Sequence, residues 1–328
     1  MVVYPIVEPE EDVESVPERV VYRTRASGTR WRYVADLFGD AIRNPRGTYD
    51  AVLCGHINLL PLAALVSWIQ GVPLWLIIHG IDAWTPHPSR WVRWSLPFVD
   101  TFVSVSQHTK DRFLEWAPLN DAQGHVLPNC IDPTPYGPGP KRADLLTRYG
   151  LHNRTILLTL SRLSADEQYK GHNEVLNVLP KLAEDIPDVA YLICGDGDDR
   201  PRLEAKAKRL GMADRVVFAG YVPEDEKADH YRLADAFVMP GRGEGFGIVY
   251  LEALACGVPV VASSADASEE AVLGGRIGTV VDPGNPDELK HGIRAALRDG
   301  GGVPEALQYF SFERFTDRWH RLVKARLD

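Results

Sequence analysis

The sequence predicts an α/β protein of two doubly wound domains, each built on a parallel sheet. Three observations lead there. Short β-rich runs alternate with amphipathic helical stretches along most of the chain, which is the pattern of βα units. The strand runs are apolar with little alternation, as expected where both faces of a sheet are covered. A Pro- and Gly-rich stretch, PTPYGPGPK (Pro133–Lys141), interrupts the chain and reads as a linker. A length of 328 residues suits two domains, placed at 1–135 and 136–305.

In the first half, VVYPIV and RVVYRT read as two opening strands. DAVLCGH (Asp50–His56), PLWLIIHG (Pro73–Gly80), TFVSVS (Thr101–Ser106) and HVLPN (His125–Asn129) supply four more. The uncharged run Leu59–Ile78 is long enough to cross a membrane, but Pro61, Gly71 and Pro73 punctuate it. It reads better as a short helix, a GVP break and a buried strand. In the second half the strands are TILLTLSR, AYLICGDG, VVFAGY, AFVMPG, PVVASS and GTVVD, with helices such as RPRLEAKAKRLG and EDEKADHYRLAD between them.

Bulk properties exclude several function classes. Hydrophobic residues at 45% and charged residues at 25% fit a soluble globular protein. A net charge of −9 argues against a nucleic-acid partner. Cys54, Cys130, Cys194 and Cys256 are scattered without a CxxC pair, so they read as buried thiols in a reducing compartment. Met1 is followed by VVYPIVEPEEDVE without a basic region, so no secretory leader is expected.

In doubly wound sheets, ligands bind outside the carboxyl ends of the strands. SRLSADEQYKGH follows the first strand of the second domain. Its Arg162 and Lys170 suit a polyanion such as a diphosphate; the alternative is two ordinary surface cations. In CGDGDDRPRLE, Gly195 and Gly197 permit close backbone approach. DGDD could be a metal site, but Asp198 or Asp199 capping the next helix is the better reading. GRGEGFG leads into the helix IVYLEALACG, which Gly257 is placed to end. The amides of Phe246, Gly247 and Ile248 would face an anion at that helix start.

Glu252 lies about one turn deeper among apolar residues, so its carboxylate needs donors or a cation. A ribose diol would satisfy it, and so would a Lys or Arg. Glu244, in the loop, could face a sugar on the other side of the diphosphate. His79, in LIIHGID, ends a strand of the first domain; a strand-end histidine faces the ligand or is satisfied within the core. In SVSQHTK, Ser106 reads as a helix cap. PSRWVRWSLPF (Pro88–Phe98) mixes Trp91 and Trp94 with Arg90 and Arg93. It reads as an interfacial patch for lipid headgroups or as an amphipathic helix with snorkelling arginines.

Taken together, these motifs resemble glycosyltransferase family four, which has the GT-B fold. The likeness is carried by Glu244–Glu252 with EGFG, SR…KGH, CGDG, GYVP…YRLADAFVMP, ACGVPVVAS, LPNCID and HGID, in order from about residue 50 onward. The resemblance implies two Rossmann-like domains facing across a cleft. It also implies that residues 306–328 form a final helix crossing back to the first domain. The implied reaction is retaining transfer of a hexose from a nucleotide-diphosphate sugar, of GDP-mannose or UDP-glucose type, with no metal or other cofactor required. Arg162 and Lys170 would bind the diphosphate, assisted by the amides of Phe246, Gly247 and Ile248. Glu252 would hold the ribose, Glu244 the donor-sugar hydroxyls, and His79 would sit beside the reacting sugar. Gly195 would allow the donor's close approach, and Tyr221 and Val222 would lie near the base.

The acceptor would be a glycan or a lipid-linked sugar in polysaccharide or lipopolysaccharide synthesis. The implied location is cytoplasmic, with peripheral contact at the inner face of the membrane. Family members usually begin with a strand, a Gly-rich loop and a long helix; this chain opens at MVVYPIVEPEED, as if after that unit. A shortened first domain would leave nucleotide-sugar binding with little transfer as one alternative. A GT-B epimerase or phosphorylase is another.

Overall fold

The computed structural model describes residues 2–3, 21–22 and 29–327. The chain divides into two compact units whose sequence ranges interleave. One comprises Met1–Ile78, Thr85–Val103 and Phe113–His125. The other comprises His79–Trp84, Ser104–Arg112 and Val126–Asp328. The helix near the C-terminus, and the turns that follow two strands of the first half, thus belong to the second unit.

The first half opens with β1 (Val2–Val3) and β2 (Val21–Tyr22), which pair in parallel. The remaining residues of VVYPIV, and all of RVVYRT but Val21 and Tyr22, lie outside the described residues. Next come α1 (Arg30–Arg43), β3 (Val52–Cys54), α2 (Leu60–Gln70), β4 (Leu74–Ile78), α3 (Arg90–Ser95), β5 (Thr101–Ser104), α4 (Gln107–Leu114) and β6 (Gly124–Val126). The last strand begins a residue before HVLPN and stops short of Pro128, which has no N–H for a ladder. β3 to β6 form a four-stranded sheet in sequence order. The apolar run Leu59–Ile78 breaks at Gly71, whose φ of 68° closes α2 before β4 begins. No helix among the described residues is long and apolar enough to cross a membrane.

The second half runs α5 (Ala143–Tyr149), β7 (Thr155–Leu160), α6 (His172–Asp185), β8 (Val189–Cys194), α7 (Arg200–Arg209), β9 (Val216–Gly220), α8 (Lys227–Leu233) and β10 (Ala236–Val238). It continues with α9 (Ile248–Ala255), β11 (Val260–Ser263), α10 (Ser268–Ala271), β12 (Thr279–Val281), α11 (Pro286–Asp299) and α12 (Phe312–Leu327). Six parallel strands lie in the order β12-β11-β10-β7-β8-β9. The order reverses between β7 and β10, the place where such sheets receive ligands. Both faces of the sheet are covered. Tyr231, Leu251 and Leu254 pack on one side, and Val175, Leu179, Leu203 and Ile293 on the other. This burial explains strands that are apolar at nearly every position.

Candidate active site

The loops leaving β7 and β10 meet at this reversal. Arg162, Lys170 and Gly171 follow β7; Gly241 to Gly247 follow β10. The loops approach so closely that side chains are excluded. A Cβ on Gly171 would lie 2.8 Å from the Pro240 carbonyl, and one on Gly243 would lie 2.4 Å from the Tyr169 ring. The Arg242 amide donates to the Tyr169 carbonyl at 2.9 Å, which ties the loops together. The Gly-rich spelling of both segments follows from this approach.

Two of the residues expected to contact the donor are joined here. Lys170 Nζ lies 2.6 Å from Glu244 Oε2, with both side chains mostly buried. Burial raises the Glu244 carboxyl above its ordinary range, and Lys170 opposes that shift. Asp266 Oδ2 accepts from the Glu244 amide at 2.9 Å, which holds the loop beside α10. Arg162 is placed differently: its guanidinium is 79% exposed and is held by Glu167. Behind the loop, His172 is buried with its ring nitrogens on Ser161 Oγ at 2.9 Å and the Tyr191 hydroxyl at 3.1 Å. Burial lowers its pKa to about 4, so a neutral ring anchors the base of the Arg162 loop.

Gly195 brings the β8 turn against that loop: a Cβ there would lie 1.8 Å from the Ser161 carbonyl. Its amide donates to the Gly220 carbonyl at 2.7 Å. Directly after Gly220, Tyr221 is exposed and Val222 is buried. The neighbouring DGDD differs from expectation. Asp199 occupies the N-cap position of α7, yet its side chain makes no capping bond. It forms a fork with Arg202 instead, at 2.6 and 2.7 Å. Asp198 accepts from the Ala165 amide at 2.8 Å. An arginine three residues on offers two charged donors, and it takes the carboxylate away from the helix start.

α9 begins at Ile248, with Gly247 as N-cap at φ 87°. The Phe246 side chain is buried against Phe310, at 5.5 Å between ring centroids, so its amide is the part suited to ligand contact. Ile248 is part exposed at the helix start. Gly257, at φ 79°, follows the last turn, as the sequence predicts. Glu252 is buried one turn into the helix. The Tyr231 hydroxyl donates to its Oε2 at 2.6 Å, and Lys227 Nζ lies 4.0 Å from Oε1. Lys227 is closer to Glu224, at 2.6 Å. Burial and the Glu252 carboxylate both push the Tyr136 hydroxyl upward. Tyr136 and Tyr231 both direct their hydroxyls to this carboxylate and Lys227 is a shared cation, so of its roughly four lone-pair sites about one is left for a further O–H donor.

His79 and Gly80 belong to the second unit and abut the glycine loop through their backbone. A Cβ on Gly245 would lie 2.2 Å from the His79 carbonyl oxygen, and one on Gly80 would lie 2.7 Å from Gly245 Cα. The His79 side chain is exposed. Ser106 Oγ donates to the Gly245 carbonyl at 2.8 Å and accepts from the Thr109 amide at 3.1 Å, so it caps α4 as expected. A contact not anticipated from the sequence completes this cap: the Glu270 carboxylate accepts from the amides of Gln107 and His108, both at 2.8 Å. A charge at a helix start is a general signal, but Glu270 is 163 residues from Gln107. The structure thus brings His79, Lys170, Glu244 and the start of α9 to one end of the sheet.

Two family models match the chain. That of the Glycosyl transferases group 1 covers residues 148–312. That of Glycosyltransferase Family 4 covers residues 1–134. The chain belongs to glycosyltransferase family 4. The family 4 chain is 39% identical over 208 residues to a GDP-mannose-dependent alpha-(1-6)-phosphatidylinositol monomannoside mannosyltransferase of Mycolicibacterium smegmatis. That match covers 61% of this chain and 53% of the relative. An alpha-D-kanosaminyltransferase of Streptomyces kanamyceticus is 27% identical, covering 72% of this chain and 64% of the relative. The chain thus spans about half the length of the mannosyltransferase relatives it matches. Among solved structures, Anabaena HepE in complex with UDP-glucose superposes with a TM-score of 0.74 at 24% identity, covering 90% of this chain and 82% of that one. A glycosyltransferase from Rickettsia africae gives 0.74 at 18% identity, covering 93% and 85%. These likenesses support the GT-B architecture of two parallel-sheet α/β domains.

Proposed function

We propose that this family 4 chain transfers a hexose from a nucleotide-diphosphate sugar to a hydroxyl acceptor with retention of configuration, and that the donor is of GDP-mannose type. The observation that carries the reading is the Lys170–Glu244 contact at the reversal of strand order, beside the start of α9. A cation suited to a diphosphate and a carboxylate suited to sugar hydroxyls meet there. Donor entry separates the pair: Lys170 turns to the diphosphate, and Glu244 takes hydroxyls of the hexose. Exposed Arg162 adds a second cation. The amides of Phe246, Gly247 and Ile248 add the positive end of a helix. Glu252 receives the ribose diol.

In the reaction, the bond from the anomeric carbon to the diphosphate oxygen breaks. The acceptor oxygen bonds to that carbon on the same face, and its proton passes to the departing diphosphate. Negative charge grows on the leaving group, where fixed cations and amides stabilise it most. His79 orients the sugar as it becomes electron-poor. No metal is needed for this charge balance, so activity should persist in a chelator.

The mannosyltransferase relatives, at 36–39% identity, favour GDP-mannose over UDP-glucose. They also favour a lipid-linked acceptor. In keeping with this, Trp91, Trp94 and Phe98 are more than half exposed beside Arg90 and Arg93 on and after α3. Such a patch suits an anionic headgroup layer; Trp91→Ala/Trp94→Ala would then lose binding to anionic vesicles. The reading is tested by supplying labelled GDP-mannose or UDP-glucose with a phosphatidylinositol monomannoside acceptor and measuring lipid-soluble label. Mannose transfer that persists in EDTA supports it. Donor binding without transfer would make the chain a nucleotide-sugar binder. Failure to bind either donor would sink it.

A further inference from the structure

Away from the β7–β10 end, the second unit holds a cavity of about 610 Å³ lined by four arginines, Arg276, Arg314, Arg318 and Arg321. Three of them stand on α12 at spacings of four and three residues, which places them on one face of the helix. Arg276 comes from the turn after α10. Among the described residues, no acidic side chain lies within ion-pair distance of these four guanidiniums. Among the described residues that line the cavity, Glu305 is the one carboxylate.

A merely solvated basic helix face would leave each guanidinium free in water. Arg318 argues against it. Its guanidinium stacks on the Tyr309 ring at 3.9 Å from the centroid. Its Nη2 donates to the Tyr309 carbonyl at 3.0 Å. These contacts hold the planar group in one orientation, and its Nη1 is buried without a hydrogen-bond partner. A buried charged donor left unmatched is costly, and the like charges around it add repulsion. An anion among the four guanidiniums would offset that repulsion. The chain as a whole carries a net charge of −9, so this local excess of cations is not a consequence of overall composition.

We infer that this cavity is a binding site for a phosphate monoester, held by Arg318 and Tyr309 from below and by Arg276, Arg314 and Arg321 from the rim. Charge selects the ligand class. Four guanidiniums against Glu305 leave a surplus larger than one carboxylate can balance, whereas a phosphate monoester carries nearly two negative charges near neutrality. Three acceptor oxygens also match several guanidinium forks at once. The cavity volume leaves room for a group the size of a sugar or a lipid headgroup behind the phosphate. The site is separate from the donor residues and does not depend on the proposed transfer reaction.

The test is calorimetric titration of the purified chain with inorganic phosphate, together with co-sedimentation on phosphatidylcholine vesicles with and without phosphatidic acid. The variants are Arg318→Gln and the exposed pair Arg314→Gln/Arg321→Gln, with unfolding temperature and GDP affinity as controls for folding and for the donor site. Saturable phosphate binding that both variants weaken by about tenfold or more supports the site. If phosphatidic acid vesicles also retain the wild type, and free phosphate releases it, the phosphate belongs to a lipid headgroup. If free phosphate alone binds, the ligand is a soluble phosphate monoester. No saturable phosphate binding, or binding unchanged in both folded variants, overturns the inference.

Discussion

Lys170 Nζ and Glu244 Oε2 lie 2.6 Å apart, although 74 residues separate them in sequence. The contact links the loop after β7 to the glycine loop before α9. Each partner makes the other's burial tolerable. Lys170→Met should therefore leave Glu244 to take up a proton, since burial already raises its carboxyl. Stability should fall by roughly 1–3 kcal/mol, read as a lower urea midpoint at unchanged slope. Activity should fall far more, by about 10²-fold in kcat. A variant with full activity would remove Lys170 from the diphosphate role.

Gly245 is confined by the backbone of His79 and Gly80. Gly245→Ala places a methyl group 2.2 Å from the His79 carbonyl oxygen and 2.6 Å from Gly80 Cα. Neither backbone atom can swing aside as a side-chain tip could. The expected cost is about 1–3 kcal/mol, with a matching fall in Tm. Gly55→Ala is the control, because an added Cβ there has nothing within 4 Å. Equal Tm values for the two variants would contradict the packing described.

His172 makes the fold sensitive to acid. Its pKa is lowered from 6.5 to about 4 by burial, with Asp199, Lys170 and Arg202 as the nearby charges. The folded value lies below the unfolded one, so the unfolded chain binds this proton first as pH falls. The stability that the neutral ring confers is complete above about pH 6.5 and is lost between 6.5 and about 4. The gap corresponds to roughly 3 kcal/mol. Urea midpoints at several pH values should drop across this window, and His172→Gln should flatten the drop. A parallel profile in the variant would place the acid sensitivity elsewhere.

Much of this architecture was legible in the sequence. Strands such as Leu74–Ile78 and Val189–Cys194 are apolar throughout because helices cover both faces, and Gly71 and Gly257 mark helix ends by their left-handed backbone. The βα rhythm gives no expectation of a helix at 30–43, yet Tyr33, Val34, Leu37, Phe38 and Ala41 recur at helical spacing in α1. Asp before a helix usually caps it, whereas Arg202 offers Asp199 two charged donors and takes its carboxylate instead. Pairings such as Lys170 with Glu244, or Glu270 with the start of α4, depend on which strands become neighbours. Local pattern carries no information on that order.

The proposed transfer requires a nucleotide diphosphate bound at the start of α9 with its ribose on Glu252. Calorimetric titration of GDP into the wild type and Glu252→Gln tests it most directly. The glutamine keeps the shape and still accepts from Tyr231, but it loses the charge that strengthens hydrogen bonds from a diol. Saturable GDP binding by the wild type, weakened about tenfold or more in the variant, is the predicted result. Binding of equal strength in both, or none in a folded wild type, would contradict it.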